Sequence, residues 1–395
     1  MPKNPQSSRA GRYISQLSGY QAYYPAPLPP IPSLAIEGEL LRLLSDADRA
    51  LARLDAVSTF LPNPDLFVAT YVRHEAVLSS QIEGTQSTLE DVLAYEADAT
   101  HNRAPKDVNE VVNYVRAMNH GLRRLAELPL SLRLLREIHK ELMQNVRGSE
   151  RTPGEFRISQ NWIGSPGSTL KNAAFVPPPA HELMNFLGDL EKFLHEHKVD
   201  TPLLIQCGLA HAQFETIHPF LDGNGRVGRL LITLMLCEAK ALTRPLLYLS
   251  HYLKANRTEY YERLTAIRLH GDWEGWLRFF LRGVAQVSMQ AGETARNIIA
   301  LREKQRAKYA ANANALKLID ALFERPFVTV KQCSEILGVS FLTANKLVAQ
   351  FEKSEVLNEV TGGDRNRVFR FQSYLALFTD EEKGDARAAG GIDAT

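Results

Sequence analysis

One stretch, His218-Pro219-Phe220-Leu221-Asp222-Gly223-Asn224-Gly225-Arg226-Val227-Gly228-Arg229, gathers an imidazole, a carboxylate, a glycine-rich turn and two guanidinium groups. Each has a use beside a phosphate. His218 can take a proton from a hydroxyl near neutral pH. Asp222 offers a hard oxygen that suits Mg²⁺. Gly223 and Gly225 let the backbone approach an anion closely with N–H groups turned towards it. Arg226 and Arg229, three apart on the expected first turn of a helix, share a face and can fork phosphate oxygens. The chemistry this set suits is the transfer of a nucleotide's phosphate to a hydroxyl.

The elements around the stretch decide between two uses of its glycines. Gly223-x-Gly225-x-x-Gly228 also fits a dinucleotide-binding turn, which requires a preceding strand. Here Leu203, Cys207, Ala210, Phe214 and Ile217 recur at intervals of three and four, the period of a core-facing helix. A helix on that side argues against a dinucleotide fold. After the stretch, Leu230–Cys237 is apolar on nearly every side, as befits a central buried helix. Its N-terminal end would carry the site, where the helix dipole favours phosphate. The remaining histidines read as surface or packing residues: His195 and His197 as a solvated helix end, His211 as packing, because no further ligand completes a zinc set.

With those residues in view, His218–Arg229 resembles the signature of Fic-domain proteins, His-Pro-Phe-x-Asp/Glu-Gly-Asn-Gly-Arg-x-x-Arg, and meets all nine of its fixed positions. The resemblance implies a mainly helical Fic fold with a β-hairpin flap. It also implies AMP transfer from ATP to a Ser, Thr or Tyr hydroxyl of a target protein, with pyrophosphate released. By position, His218 would be the general base and Asp222 would hold Mg²⁺ on the phosphates. Gly223, Asn224 and Gly225 would form the anion hole, with Val227 and Gly228 completing the nucleotide-binding segment. Arg226 would grip the phosphate chain and Arg229 the γ-phosphate, while Phe220 would anchor the loop from inside.

A second motif, Ser79-Ser80-Gln81-Ile82-Glu83-Gly84, resembles the family's inhibitory pattern, Ser/Thr-x-x-x-Glu-Gly/Asn. Asn63-Pro64-Asp65 is a plausible helix start, and Gly84 a natural C-cap. Glu83 then falls where a helix dipole disfavours an acid, so it calls for a cation. The resemblance names Arg229, which Glu83 would engage so as to block productive γ-phosphate placement. The chain therefore resembles relatives whose inhibitory helix lies upstream of the core.

Between Arg157 and Pro179, short β-prone runs flank a Gly/Pro/Ser turn and predict a hairpin. It resembles the family flap that orients the target by strand-like pairing, with Ile163, Gly164 and Ser165 nearest the nucleotide. Asn256–Leu264 resembles a stretch closing the adenosine side. Tyr260 is the candidate there for a base or ribose contact, with a core aromatic as the other reading. Trp273 and Trp276 fit core packing.

The chain of 395 residues has room for two or three domains, and its net charge of +1 sets up no global field for nucleic acid or membrane. Its three cysteines, Cys207, Cys237 and Cys333, lie far apart, which suggests reduced thiols and a cytoplasmic setting. No signal peptide or membrane-length apolar run is seen. The expected organisation is an N-terminal arm and inhibitory region over 1–110, a catalytic core over 111–300, a small C-terminal domain over 312–378 and a disordered tail over 379–395. Within the first of these, Tyr20 to Pro32 reads as an extended arm. A helical stripe runs from Ile36 to Leu61.

The C-terminal stretch predicts helices over Ala315–Phe323 and Phe341–Glu352, a helix and turn over Thr329–Ser340, and a hairpin from Val356 to Phe371. This resembles a winged helix-turn-helix. Thr343, Asn345 and Lys346 would lie on its recognition helix, and Arg365 and Arg367 on its wing. Eight basic against seven acidic residues over 312–378 give a weaker basic face than DNA readers usually show. Protein docking or dimerisation therefore stands beside DNA binding through residues 329–371.

Three functions stay open on sequence. One is a self-restrained protein adenylyltransferase using ATP and Mg²⁺, with self-modification and homodimerisation as further possibilities. The second keeps the core but removes AMP or transfers another nucleotidyl or phosphoryl group. The third is a DNA-binding regulator with a nucleotide-sensing core.

Overall fold

The helical stripes become helices, and two of them are buried on nearly every side. The computed structural model describes residues 9–59, 64–97, 107–165, 167–196, 201–362 and 366–378. A two-stranded antiparallel hairpin, β1 (Gly11–Ser15) and β2 (Gln21–Pro25), comes first. It is followed by α1 (Gly38–Thr59), α2 (Pro64–Ile82), α3 (Leu89–Ala97), α4 (Val108–Arg124) and α5 (Leu132–Leu142). After a long connection come α6 (Leu183–Glu196), α7 (Leu203–Ile217), α8 (Asn224–Glu238), α9 (Ser250–Ala255), α10 (Arg257–His270) and α11 (Trp273–Lys308).

Helix α7 buries every residue but Leu203, and α8 is buried along nearly its whole length. A helix with no polar face must lie inside, and these two pack together at the centre. Helices α4 and α5 cover α8, α2 crosses α4 and α9, and α1 lies along the 36-residue α11. Local chemistry sets the ends. Ser131 caps α5 by accepting from Leu134 N, and Asp272 caps α11 by accepting from Gly275 N. Gly271, at φ 66°, closes α10 in a left-handed conformation. Trp276 is buried in α11 and donates to the Gly208 carbonyl at 2.8 Å, as core packing required.

The remaining elements pack against α2, α3 and α11: α12 (Ala313–Glu324), β3 (Phe327–Thr329), α13 (Val330–Leu337), α14 (Phe341–Lys353), β4 (Asn358–Glu359) and β5 (Val368–Arg370). The strands make an antiparallel sheet in the order β3-β5-β4. Helix α13 starts in a capping box from Thr329 to Gln332, and a left-handed Gly338 ends it before α14. Strand β3 was not expected. Three residues bounded by a proline and a helix cap are too few for a periodic signal. Arg365 and residues 379–395 lie outside the described residues, as do Asn63 and His197.

One expectation is corrected. The first part of the segment expected as an extended arm over Tyr20 to Pro32 is strand β2 of a hairpin over 11–25, while the part after Pro25 forms no strand and lies against the core through Leu28. Tyr23 N donates to the Val176 carbonyl at 2.9 Å, so the hairpin is held by the far end of the flap. A partner so distant in sequence outweighs the local preference for polyproline geometry. Among the described residues, no helix is long and apolar enough to cross a membrane.

Candidate active site

The junction of α7 and α8 builds the site. α7 ends at His218, which adopts a left-handed φ of 51°. That turn stops the helix and sends the chain through Pro219–Gly223 before α8 begins at Asn224. Asn224 clamps the loop: its Oδ1 accepts from Phe220 N, and its Nδ2 donates to Phe220 O, both at 2.8 Å. The side chain is thus committed to shaping the loop, and what it offers a ligand is backbone. The first-turn N–H groups of α8 have no intrahelical acceptor and carry the positive end of the helix dipole.

Phe220 points inward, as expected, and stacks on His139 with centroids 3.8 Å apart. His139 escaped notice in the sequence because its polar partners are backbone groups, which any residue offers. Its Nδ1 accepts from Gly154 N, which leaves Nε2 to carry the proton and donate to the Asp222 carbonyl at 3.1 Å. Burial pushes this imidazole down to about 4, so it stays neutral. Arg157 is the other residue the sequence did not reveal. It donates to the carbonyls of His218 at 2.9 Å and Pro178 at 2.6 Å, tying the loop to the far end of the flap.

His218 is half-buried. Burial, reinforced by the Arg157 guanidinium, pushes its imidazole down to about 4, against a smaller upward pull from the Glu215 carbonyl. At neutral pH it is therefore the free base. The Asp222 carboxylate is one-third exposed, with Oδ1 bonded to Gly223 N at 2.7 Å and Arg226 Nη2 3.9 Å away. Among the described residues no group of three or more acidic, histidine or cysteine side chains could hold a metal. A cation at Asp222 would need its other oxygens from a ligand's phosphates and water, as Mg²⁺ commonly does. Gly223 sits at φ 75°, and a Cβ there would lie 2.9 Å from Met143 Sδ. Only glycine meets both conditions.

Both arginines are buried, and each faces a glutamate. Arg229 donates through Nε to Ser79 Oγ at 2.8 Å, and through Nη2 to Ser79 O at 2.9 Å and Glu83 Oε1 at 2.7 Å. Glu83 lies in the turn just beyond α2, and Gly84 follows at φ 99°. Burial opposes the charge of Glu83, but the Arg229 guanidinium outweighs it and holds the carboxyl below its usual value. Gly225 leaves room for this pair, since a Cβ there would fall 2.2 Å from Glu83 Oε1. Arg226 donates through Nη1 to Glu110 Oε2 at 2.9 Å. Glu110, in the first turn of α4, is the third residue the sequence did not reveal.

Other expected residues fall elsewhere. Val227 is fully buried, and Gly228 lets α8 approach α7, where a Cβ would meet Glu215 Oε1 at 2.5 Å. Both therefore pack the core behind the loop. Tyr260 is corrected to the core reading. It is 1% exposed, and its hydroxyl lies 2.9 Å from His211 Nε2, so neither ring face nor hydroxyl is open to a base. His211, whose Nδ1 lies 2.9 Å from the Gly228 carbonyl, packs as expected. The flap closes through one antiparallel pair, Ile163 with Phe175, bonded at 2.8 and 3.0 Å. Gly164 and Ser165 lie in its turn region, and Ile163 is 38% exposed.

Comparison with known proteins agrees with this geometry. The Fic/DOC family N-terminal model matches residues 41–123, and the Fic/DOC family model matches 129–236. The protein adenylyltransferase Fic of Drosophila virilis is 29% identical over 203 residues, covering 51% of this chain and 36% of the relative. That of Drosophila melanogaster is 28% identical over 203 residues, with the same coverage of 51% and 36%. The chain thus spans little more than a third of the length of these curated relatives. A solved Fic family protein from Desulfovibrio desulfuricans G20 superposes with a TM-score of 0.56 at 20% identity, covering 86% of this chain and 97% of that one. A Fic domain containing signaling protein from Bacteroides thetaiotaomicron VPI-5482 gives 0.50 at 18% identity, covering 63% and 95%. These two share the fold. With the family's N-terminal region matched over 41–123, its Fic/DOC domain over 129–236, and its full signature at the junction of α7 and α8, the chain carries the two Fic/DOC family domains.

Proposed function

We propose that this protein is an adenylyltransferase that moves AMP from ATP to a protein hydroxyl and is restrained by Glu83. One observation carries the proposal: a neutral imidazole shares a short loop with a one-third-exposed carboxylate and a helix N-terminus, and two buried arginines lie directly behind. His218 takes the proton from the target hydroxyl as its oxygen attacks the α-phosphorus. The bond from that phosphorus to the bridging oxygen breaks, and pyrophosphate leaves. The α8 N–H groups, Arg226 and Arg229 hold the phosphate charge, which supplies most of the rate in phosphoryl transfer. Asp222 is the residue that would hold Mg²⁺, whose charge neutralises the phosphates when bound. Glu83 occupies Arg229, so the γ-phosphate cannot settle there. The exposed strand edge beside Ile163 suits pairing with an extended target segment.

The residues from Ala313 to Phe378 fit a winged helix-turn-helix. Phe341 and Leu342, 60% and 64% exposed at the start of α14, favour protein contact over DNA readout for it.

The test is incubation of wild type, Glu83→Gly and Glu83→Gly/His218→Ala with ATP labelled on the α-phosphate and a lysate. Label transferred to protein by the Glu83→Gly chain, and lost with His218, supports the proposal. No transfer by Glu83→Gly overturns it.

A further inference from the structure

Helix α4 contributes one carboxylate to the site, and its surroundings differ from those of Glu83. The Glu110 and Arg226 side chains are 7% and 3% exposed, whereas Glu83 is 32% exposed. A pair with both partners buried keeps its geometry, while a pair with one open side can exchange its carboxylate for a phosphate. The bonds of Arg226 are equally uneven. Nη1 is taken by Glu110, Nε is buried with no partner, and Nη2 meets only Met143 Sδ at 3.6 Å, with Asp222 Oδ1 at 3.9 Å. A guanidinium carries five donors in a fixed plane. Anchoring Nη1 therefore sets the direction of all the others.

We infer that Glu110 is a positioning residue, which holds one end of the Arg226 guanidinium so that its Nη2 end is presented to the phosphates beside Asp222. The inference rests on the proposed function, because the phosphates are those of ATP. Glu110 sits at the third position of α4, where its backbone N–H bonds Asp107 O and the helix dipole favours a carboxylate. Its place on α4 is set without help from the nucleotide. The two glutamates thus act in opposite senses on neighbouring arginines: Glu83 withholds Arg229, and Glu110 delivers Arg226.

The experiment uses the full chain carrying Glu83→Gly as parent, with Glu110→Ala, Glu110→Gln and Glu110→Asp added singly. ATP and adenosine are each titrated calorimetrically in the presence of Mg²⁺, and initial labelling rates are measured. Glu110→Ala is expected to weaken ATP by about tenfold, one well-made charged contact, while adenosine binds as in the parent. Glu110→Gln keeps an acceptor for Nη1 and should recover most of the ATP affinity. Glu110→Asp is one methylene too short and should behave like Glu110→Ala, which keeps the test alive if the alanine variant does not fold. ATP and adenosine weakening together would mark a structural residue and overturn the inference, as would unchanged ATP binding. Faster labelling in Glu110→Ala would make Glu110 a second restraint, which also overturns it. A parent that binds no ATP overturns the functional reading and this inference with it.

Discussion

Replacing Glu83 with alanine separates the restraint from the scaffold that carries it. Arg229 would keep two of its bonds, to Ser79 Oγ and Ser79 O, and lose the 2.7 Å contact to Glu83 Oε1. A hydrogen bond between charged groups contributes about 1.5–3 kcal/mol. Glu83 is 32% exposed, so solvent screens part of this, and about 1–2 kcal/mol is the reasonable share. The same figure is what a γ-phosphate must overcome to displace the carboxylate. Removing it should raise productive ATP binding, and with it the labelling rate at low ATP, by about 5–30-fold. The urea midpoint should fall by an amount matching about 1–2 kcal/mol, because Arg229 loses its nearest countercharge. Glu83→Gln keeps an acceptor without the charge and should fall between alanine and wild type on both scales. Rates are read with α-labelled ATP well below saturation. A stability loss of this size with no change in rate would make the Glu83–Arg229 pair structural and refute the competition argument.

Three further outcomes follow from the geometry. His218 works as a base only when unprotonated, and its pKa is held down to about 4, so the Glu83→Gly rate should persist as pH falls through the ordinary imidazole range of about 6.5 and decline only below about 5. Half-loss near 6.5 in a pH–rate profile would contradict the burial argument. Asn224→Ala removes both bonds to the Phe220 backbone and should cost about 2–3 kcal/mol by thermal melting, with a lower labelling rate from the loosened loop. An unchanged melting temperature would mean the loop holds its own shape. Gly228→Ala places a Cβ 2.5 Å from Glu215 Oε1 and 3.2 Å from Phe214 Cδ1, and should cost about 1–3 kcal/mol by urea titration, the range for overpacking between two buried helices.

How far the sequence carried the site depends on how each residue acts. His218, Asp222 and the glycines act on a ligand from one loop, so their types and spacing sit together in the chain. Glu83 and Arg229 lie 146 residues apart, yet both belong to motifs with their own local shape, and the unfavourable dipole at Glu83 called for a cation. Glu110, His139 and Arg157 act differently. Each holds the loop from a distance in sequence: Glu110 on a guanidinium 116 residues away, His139 and Arg157 on backbone carbonyls 83 and 61 residues away. A carbonyl is offered by every residue, so a donor that seeks one leaves no paired letter elsewhere in the chain. The fold shows the same division. Helices α7 and α8 announce themselves through their own apolar faces, but β1 and β2 depend on a distant backbone carbonyl at Val176. Tyr260 was ambiguous for a related reason. A tyrosine on a helix serves ligand or core according to what its hydroxyl meets, and here that is His211 on another helix. Sequence therefore exposes the groups that face a substrate more readily than those that hold them. That asymmetry is why the positioning role inferred for Glu110 could only be read once α4 and α8 were seen side by side.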